Sequence, residues 1–313
     1  MYIAGHLGLA GSAIWRFFWN RGYRNLHGLA SKELDLREPG STRDFLMDLK
    51  PDYVIMAAAQ VGGIGANETN PVSFLLDNLK IQNNVMESSH KSGVKRLVFL
   101  GSSCAYPKFA EQPIREESLL TGALEPTNEA YAIAKIAGIK LIQAYRKESG
   151  VRWISAMPSN LYGPQDTFDL DRAHVLAALV NRFTSAVHNG SQSIQLWGTG
   201  NSKREFLHSD DLASAIFTLL EKYDSPEPIS IGSGIDLTIR ELALRIAQIV
   251  GYQGRIEWDI TKPDGAPQRL LDISKIRSLG WSPRITLEDG LRNVCKDFKA
   301  VYLSYNNKYL NLN

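Results

Sequence analysis

Cysteine is scarce in this 313-residue chain, which has only Cys104 and Cys295. Two thiols cannot staple so long a chain, so a disulfide scaffold is excluded and a reducing cytoplasm is expected. Net charge is equally thin. The 35 basic residues against 33 acidic leave +2 at pH 7, with no basic block or aromatic-basic stripe. That removes the electrostatic case for nucleic acid or an anionic membrane as main partner. No apolar run reaches the ~18 residues that a bilayer span needs. Met1 leads at once into a strand pattern and a glycine-rich turn, so no signal peptide is expected. The six histidines show no paired ligand spacing, and no metal site is expected.

What remains is a globular composition, 44% hydrophobic and 22% charged, at a length that suits one large α/β unit or two closely joined ones. Apolar runs at Tyr2–Ala4, Leu26–Ala30, Tyr53–Ala59, Arg96–Leu100 and Trp153–Met157 read as strands. Helical spacing lies between them. Residues 10–21 align Ala10, Ile14 and Phe17; residues 71–91 align Phe74, Leu75, Leu79 and Met86; residues 129–148 align Tyr131, Lys135 and Ile139. Alternation of this kind predicts an α/β fold, a doubly wound parallel sheet of Rossmann type. Ligands in such sheets bind beyond the carboxyl ends of the strands, so polar residues just after a strand become site candidates. After Gly163 the segments are shorter and more aromatic (LYGPQDTF, IQLWGTG, REFLHSDD). A strand at Ile229–Ile231 precedes a helix announced by Thr238 and Glu241, a capping box.

Strand one runs into Gly5, Gly8 and Gly11, spaced G-x-x-G-x-x-G. Glycines there permit a tight turn, close approach of backbone to a pyrophosphate, and close helix–strand packing, while the next helix offers its N-terminal amides to phosphate. The same turn could be purely structural, but its place between strand and helix favours a dinucleotide. At the end of strand two, Ser31 and Lys32 favour NADP, and Glu33 leaves NAD open. The expected division is a dinucleotide-binding domain over 1–160 plus about 206–245, and a smaller α/β substrate lobe over 161–205 plus about 246–313.

Tyr131 and Lys135 form Y-x-x-x-K, which puts both side chains on one helix face. An ammonium near a phenol favours the phenolate and makes the tyrosine a better proton-transfer group near neutral pH. The spacing alone is weak evidence; the order is stronger. A glycine turn, a serine after the fourth strand and then Y-x-x-x-K is the arrangement of extended short-chain dehydrogenases. In it Ser102 holds a substrate carbonyl and Tyr131 moves the proton. Ser103 reads better as a strand-end cap.

Longer stretches narrow the resemblance: AAAQVGGIGAN (57–67), GSSCAYP (101–107), EPTNEAYAIAKIAGIK (125–140), MPSNLYGPQD (157–166), REFLHSDDLA (204–213) and KPDGAPQRLLD (262–272). From residue 3 to about residue 295 the chain resembles the GDP-L-fucose synthase family of the extended short-chain dehydrogenase/reductases. The resemblance implies epimerisation of GDP-4-keto-6-deoxy-D-mannose at C3 and C5, then reduction at C4 with NADPH. A C4 ketone acidifies the hydrogens on C3 and C5, and inversion needs a base on one face and an acid on the other. A thiol, ordinarily of pKa ~8.5, suits the base. By resemblance Cys104 is that base and His174 the acid. Without the motif, Cys104 reads as a small buried hydrophobe and His174 as a packing or capping residue.

The resemblance also implies cofactor contacts from Leu9, Leu100 and Gly101, from Pro158, Asn160 and Leu161, and from Ser102, Tyr131, Lys135 and His174. It places the GDP-sugar on Asn160, Arg182, Trp197, Arg204, Asp264 and Arg269. Arginines suit a diphosphate through bidentate, charge-assisted hydrogen bonds; surface or lobe-joining ion pairs are their plain alternative. His208 reads as structural and Cys295 as an ordinary helix residue. Two departures stand out. Leu7 replaces the arginine of a usual G-H-R-G turn, and Gln268 replaces a commonly basic residue. A homodimer through helices 71–91 and 129–148 is implied. Other readings are a relative making the 3-deoxy sugar colitose, a simple nucleotide-sugar 4-epimerase, and a non-catalytic dinucleotide-binding protein.

Overall fold

The computed structural model describes residues 1–310, and side chains as far as 302. β1 (Tyr2–Ala4) feeds the glycine turn and α1 (Leu9–Asn20). The strand expected at Leu26–Ala30 is reduced to a single bridge between His27 and Tyr2. The reason is local. The Glu33 and Leu34 amides both donate to the Ala30 carbonyl, and the Glu33 carboxylate accepts from Ala30 N at 2.8 Å. The chain curls before a ladder can extend. Then follow α2 (Pro39–Leu49), β2 (Tyr53–Met56), α3 (Ile64–Thr69), α4 (Pro71–Lys91), β3 (Arg96–Leu100), α5 (Glu129–Ser149) and β4 (Ile154–Pro158).

Next come β5 (Asn160–Tyr162), α6 (Val175–His188), β6 (Ser193–Trp197), β7 (Lys203–His208) and α7 (Ser209–Lys222). β8 (Ile229–Ile231) returns to the first sheet, and β9 (Asp236–Thr238), α8 (Ile239–Val250), β10 (Arg255–Asp259), β11 (Gln268–Arg269), α9 (Ser274–Ser278) and α10 (Leu287–Leu310) close the chain. The main sheet runs β1-β2-β3-β4-β8, all parallel. Every residue of β3 is buried, as a strand covered on both faces should be. α5 and α7 both pack on β3, α4 packs on α5, and α1 on α7. A side chain at Gly138 of α5 would strike the Phe99 ring of β3, so glycine sets that close approach.

A second apolar core gathers Val180 and Phe183 of α6, Leu242 and Ile246 of α8, and Leu291 of α10. Beside it β6 pairs with β10, while β7 lies between β5 and β11 with β9 antiparallel to it. Packing does not follow the expected boundaries closely. Leu242 and Ala243 belong to this second core, whereas Leu271, Ile273, Ile276 and Trp281 return to the first. The amphipathic face of α8 starts at its capped end and cannot be divided between cores. Among the described residues no helix is long and apolar enough to cross a membrane.

Candidate active site

The turn after β3 carries the serine–cysteine motif. A Cβ on Gly101 would press on the side chain of Met157 in β4, so the turn passes close to that strand. Ser102 caps a short 3-10 turn, its Oγ accepting from Cys104 N at 3.2 Å. Ser103 is buried. The Cys104 thiol is half-buried and accepts a hydrogen bond from Asn128 Nδ2 at 3.4 Å. Asn128 sits at the head of α5, the helix that carries Tyr131 and Lys135. The T-N-E step three residues before Tyr131 was the only trace of this contact in the sequence.

Tyr131 stands edge-on to Phe74, ring centres 6.4 Å apart. Burial raises its pKa well above the ordinary phenol range, the Cys104 charge adds to this, and a hydrogen bond from Ser102 opposes both. Lys135 is buried, donates from Nζ to Leu100 O at 2.8 Å and lies 5.6 Å from the centre of the Tyr131 ring. Burial pulls its pKa down to about 7. Ser102, Cys104, Tyr131 and Lys135 are thus assembled by one turn and one helix.

Two arginines approach from the other side. Arg204 of β7 and Arg269 of β11 face each other in register. Burial, then the neighbouring Arg269, pull the Arg204 guanidinium down to about 10, and the Cys104 charge works against that. Arg204 Nη2 donates to Asp264 O at 3.1 Å. Arg269 is buried, and its Nη1 donates to both Ser103 O (2.9 Å) and Tyr106 O (3.0 Å). It therefore ties the serine–cysteine turn to β11, a role its expected place on the GDP-sugar did not include.

The remaining candidates spread over the second lobe and its border. Asn160 Nδ2 donates to Glu205 O at 2.8 Å, fixing the start of β5 to β7. Pro158 ends β4 and Leu161 lies in β5. His174 heads α6, half-buried, and burial lowers its pKa. Its segment packs on the VGGI turn: Gly63 N donates to Arg172 O at 3.2 Å, and a Cβ on Gly63 would lie 2.6 Å from Ala173 O. No hydrogen bond joins His174 to Cys104 among the described residues. Arg182 is half-buried, donating to Gln195 O. Trp197 is 49% exposed with Lys262 Nζ 5.3 Å from its ring centre. The Asp264 carboxylate is taken up by Thr199 N and Oγ1. His208 caps α7, Nδ1 accepting from Asp210 N, and Cys295 is buried, its thiol pushed up to about 12.

The glycine turn has the geometry of a phosphate cradle. Gly5 has φ +80°, and a Cβ there would lie 2.7 Å from Ala58 N. A Cβ on Gly11 would fall on the Gly5 carbonyl. Gly8 heads α1 with no side-chain cap and no acidic residue in the first turn, beside Leu9, so the helix end is free to meet an anion. Leu7 is 61% exposed and brings no charge. Ser31 and Lys32 are exposed on the turn after His27. The residues present fit a dinucleotide.

Residues 1–232 match the model of the NAD dependent epimerase/dehydratase family. GDP-L-fucose synthase 1 of Arabidopsis thaliana is 53% identical over 303 residues, covering 94% of each chain. GDP-L-fucose synthase of Escherichia coli (strain K12) is 45% identical over 307 residues, covering 95% of this chain and 96% of its own. The solved structure of a GDP-L-fucose synthetase from Naegleria fowleri bound to NADP matches with a TM-score of 0.88 at 28% identity, covering 96% of this chain and 94% of that one.

Proposed function

The chain belongs to the NAD dependent epimerase/dehydratase family, and from that membership we propose that it converts GDP-4-keto-6-deoxy-D-mannose into GDP-L-fucose with NADPH. The observation that carries the reading is the turn at 101–107. It holds Ser102 against Tyr131 and turns the Cys104 thiol to the head of the same helix. Groups for ketone reduction and for carbon-acid chemistry thus share one turn.

In this reading Cys104 removes the proton from C3 or C5 while the C4 carbonyl, held by Ser102, takes up the charge. His174, on a separate helix, returns a proton to the opposite face. Tyr131 then gives its proton to the C4 oxygen as the ketone is reduced. Lys135 holds a ribose hydroxyl and, when protonated, favours the phenolate that Tyr131 leaves behind. Arg182, Arg204, Trp197 and Asp264 hold the GDP-sugar. NADPH, when bound, supplies the hydride. Gly5, Gly8, Leu9 and Gly11 cradle its phosphates, and Lys32 is the cation left for a 2′-phosphate where Leu7 offers none.

Solvent deuterium tests the two chemistries apart. Cys104→Ser should cut exchange at C3 and C5 by ~10²-fold or more and leave NADPH affinity unchanged. Exchange at the parental rate would remove Cys104 as base. Tyr131→Phe should accumulate epimerised, unreduced ketone, and normal reduction in that variant would sink the assignment. Parallel turnover with NADH measures what Leu7 does to cofactor choice. The reaction belongs in the cytoplasm, where two free thiols are stable. A homodimer would cover Val72 and Leu76 of α4 and Ile133 of α5, all exposed in the single chain; a monomer at micromolar concentration by analytical ultracentrifugation would exclude it.

A further inference from the structure

An asparagine at the head of a helix ordinarily turns its side-chain oxygen to the first free amides. Asn128 heads α5 and makes no such bond. Its Oδ1 is buried without a partner, a second feature that works against stability. The one hydrogen bond its amide makes among the described residues runs from Nδ2 to Cys104 Sγ, at 3.4 Å. The backbone that carries the side chain is braced. Asn128 N donates to Glu125 O, and the Glu125 carboxylate accepts from Thr127 N and Oγ1, stiffening the turn before it. Asn128, Tyr131 and Lys135 stand at i, i+3 and i+7, along one side of α5.

We propose that Asn128 is a positioning residue for the Cys104 base, its amide N–H aiming Sγ and favouring the thiolate over the thiol. This rests on the reading of Cys104 given above. A thiolate accepts a hydrogen bond more strongly than a thiol, so a donor fixed at that distance selects the form that removes a proton. The ionisable groups facing Cys104 are Tyr131 from α5 and Arg204 from β7, with Arg269 of β11 holding its turn. The amide adds a neutral, directional donor to that set. One helix then serves both half-reactions, with the support for the base at its head and the acid one turn on.

The test uses iodoacetamide on the cofactor-free protein in a Cys295→Ser background, so that Cys104 is the remaining thiol. Asn128→Asp is nearly isosteric and equally suited to a helix head, but cannot donate and brings a negative charge. Asn128→Ser also suits a helix head and replaces the amide donor by a hydroxyl on a shorter side chain. Alkylation of Cys104 at pH 7 should slow about tenfold in the serine variant and more in the aspartate variant, each with its pH profile moved to higher pH, one unit per tenfold. A purely space-filling role would be met by aspartate, which has nearly the same size. Rates within about twofold of the parent in both folded variants overturn the proposal. Alkylation needs no substrate, so failure of the function itself shows separately, as a parent protein that exchanges no deuterium into the sugar.

Discussion

Lys135 carries an amine into the interior with no carboxylate partner among the described residues. Its Nζ has the Leu100 carbonyl and the face of Phe99, 4.9 Å away. Unfolded, a lysine keeps its proton to about pH 10.4; folded, this one loses it at about 7. Between those values the unfolded chain binds the extra proton, so stability from this group rises with pH, and the full cost of burying the ammonium is present below pH 7. Lys135→Met in cofactor-free protein should therefore raise the melting temperature more at pH 6 than at pH 10. A difference that does not change with pH would contradict this. The same variant should reduce ketone ~10²-fold more slowly or worse, measured at saturating NADPH. Tyr131 and Lys135 were legible in the sequence because four residues on a helix fix a face. Asn128 with Cys104 was not, because the contact spans two short turns and 24 residues and obeys no periodicity.

At the scale of elements, α4 and β3 lie where apolar spacing put them, at Pro71–Lys91 and Arg96–Leu100. The capping box of α8 is formed by Thr238 and Glu241 in both directions. These signals are local: an apolar period, or a side chain reaching three residues along. The missing strand at Leu26–Ala30 shows the limit. Its residues suit a strand, but a ladder also needs a neighbour in register, and the Ala30 carbonyl is already claimed by the turn. The glycine turn was readable because its spacing encodes a steric demand. Gly11→Ala would push a methyl group onto the Gly5 carbonyl, which is backbone and cannot yield. NADPH titration by fluorescence should show affinity falling at least tenfold. Parental affinity would mean that the turn relaxes and α1 shifts.

Across the whole molecule two cores meet along β5 and β7, where Leu161 and Leu207 face the first and Tyr162 and Phe206 the second. Phe183 is wholly buried in the second core, one residue from Arg182. Phe183→Ala should cost ~3–5 kcal/mol in denaturant unfolding and weaken GDP-sugar binding more than NADPH binding. Equal loss of both would mean that the cores do not fail independently. The sequence showed the change of texture after Gly163 but not how the chain crosses back. Residues 271–281 return to the first core, and the stretch just before them is tied across more than 150 residues by the bonds from Leu270 N to Gln112 Oε1 and from Arg269 Nη1 to Ser103 O.

That last bond bears on exchange of parts between relatives. The guanidinium that steadies the serine–cysteine turn is contributed by a strand far along the chain. A chimera that takes everything after β4 from a donor without an arginine at 269 should inherit a slackened turn with it. A transplant of this kind has to move residues 101–107 and 268–272 as one graft.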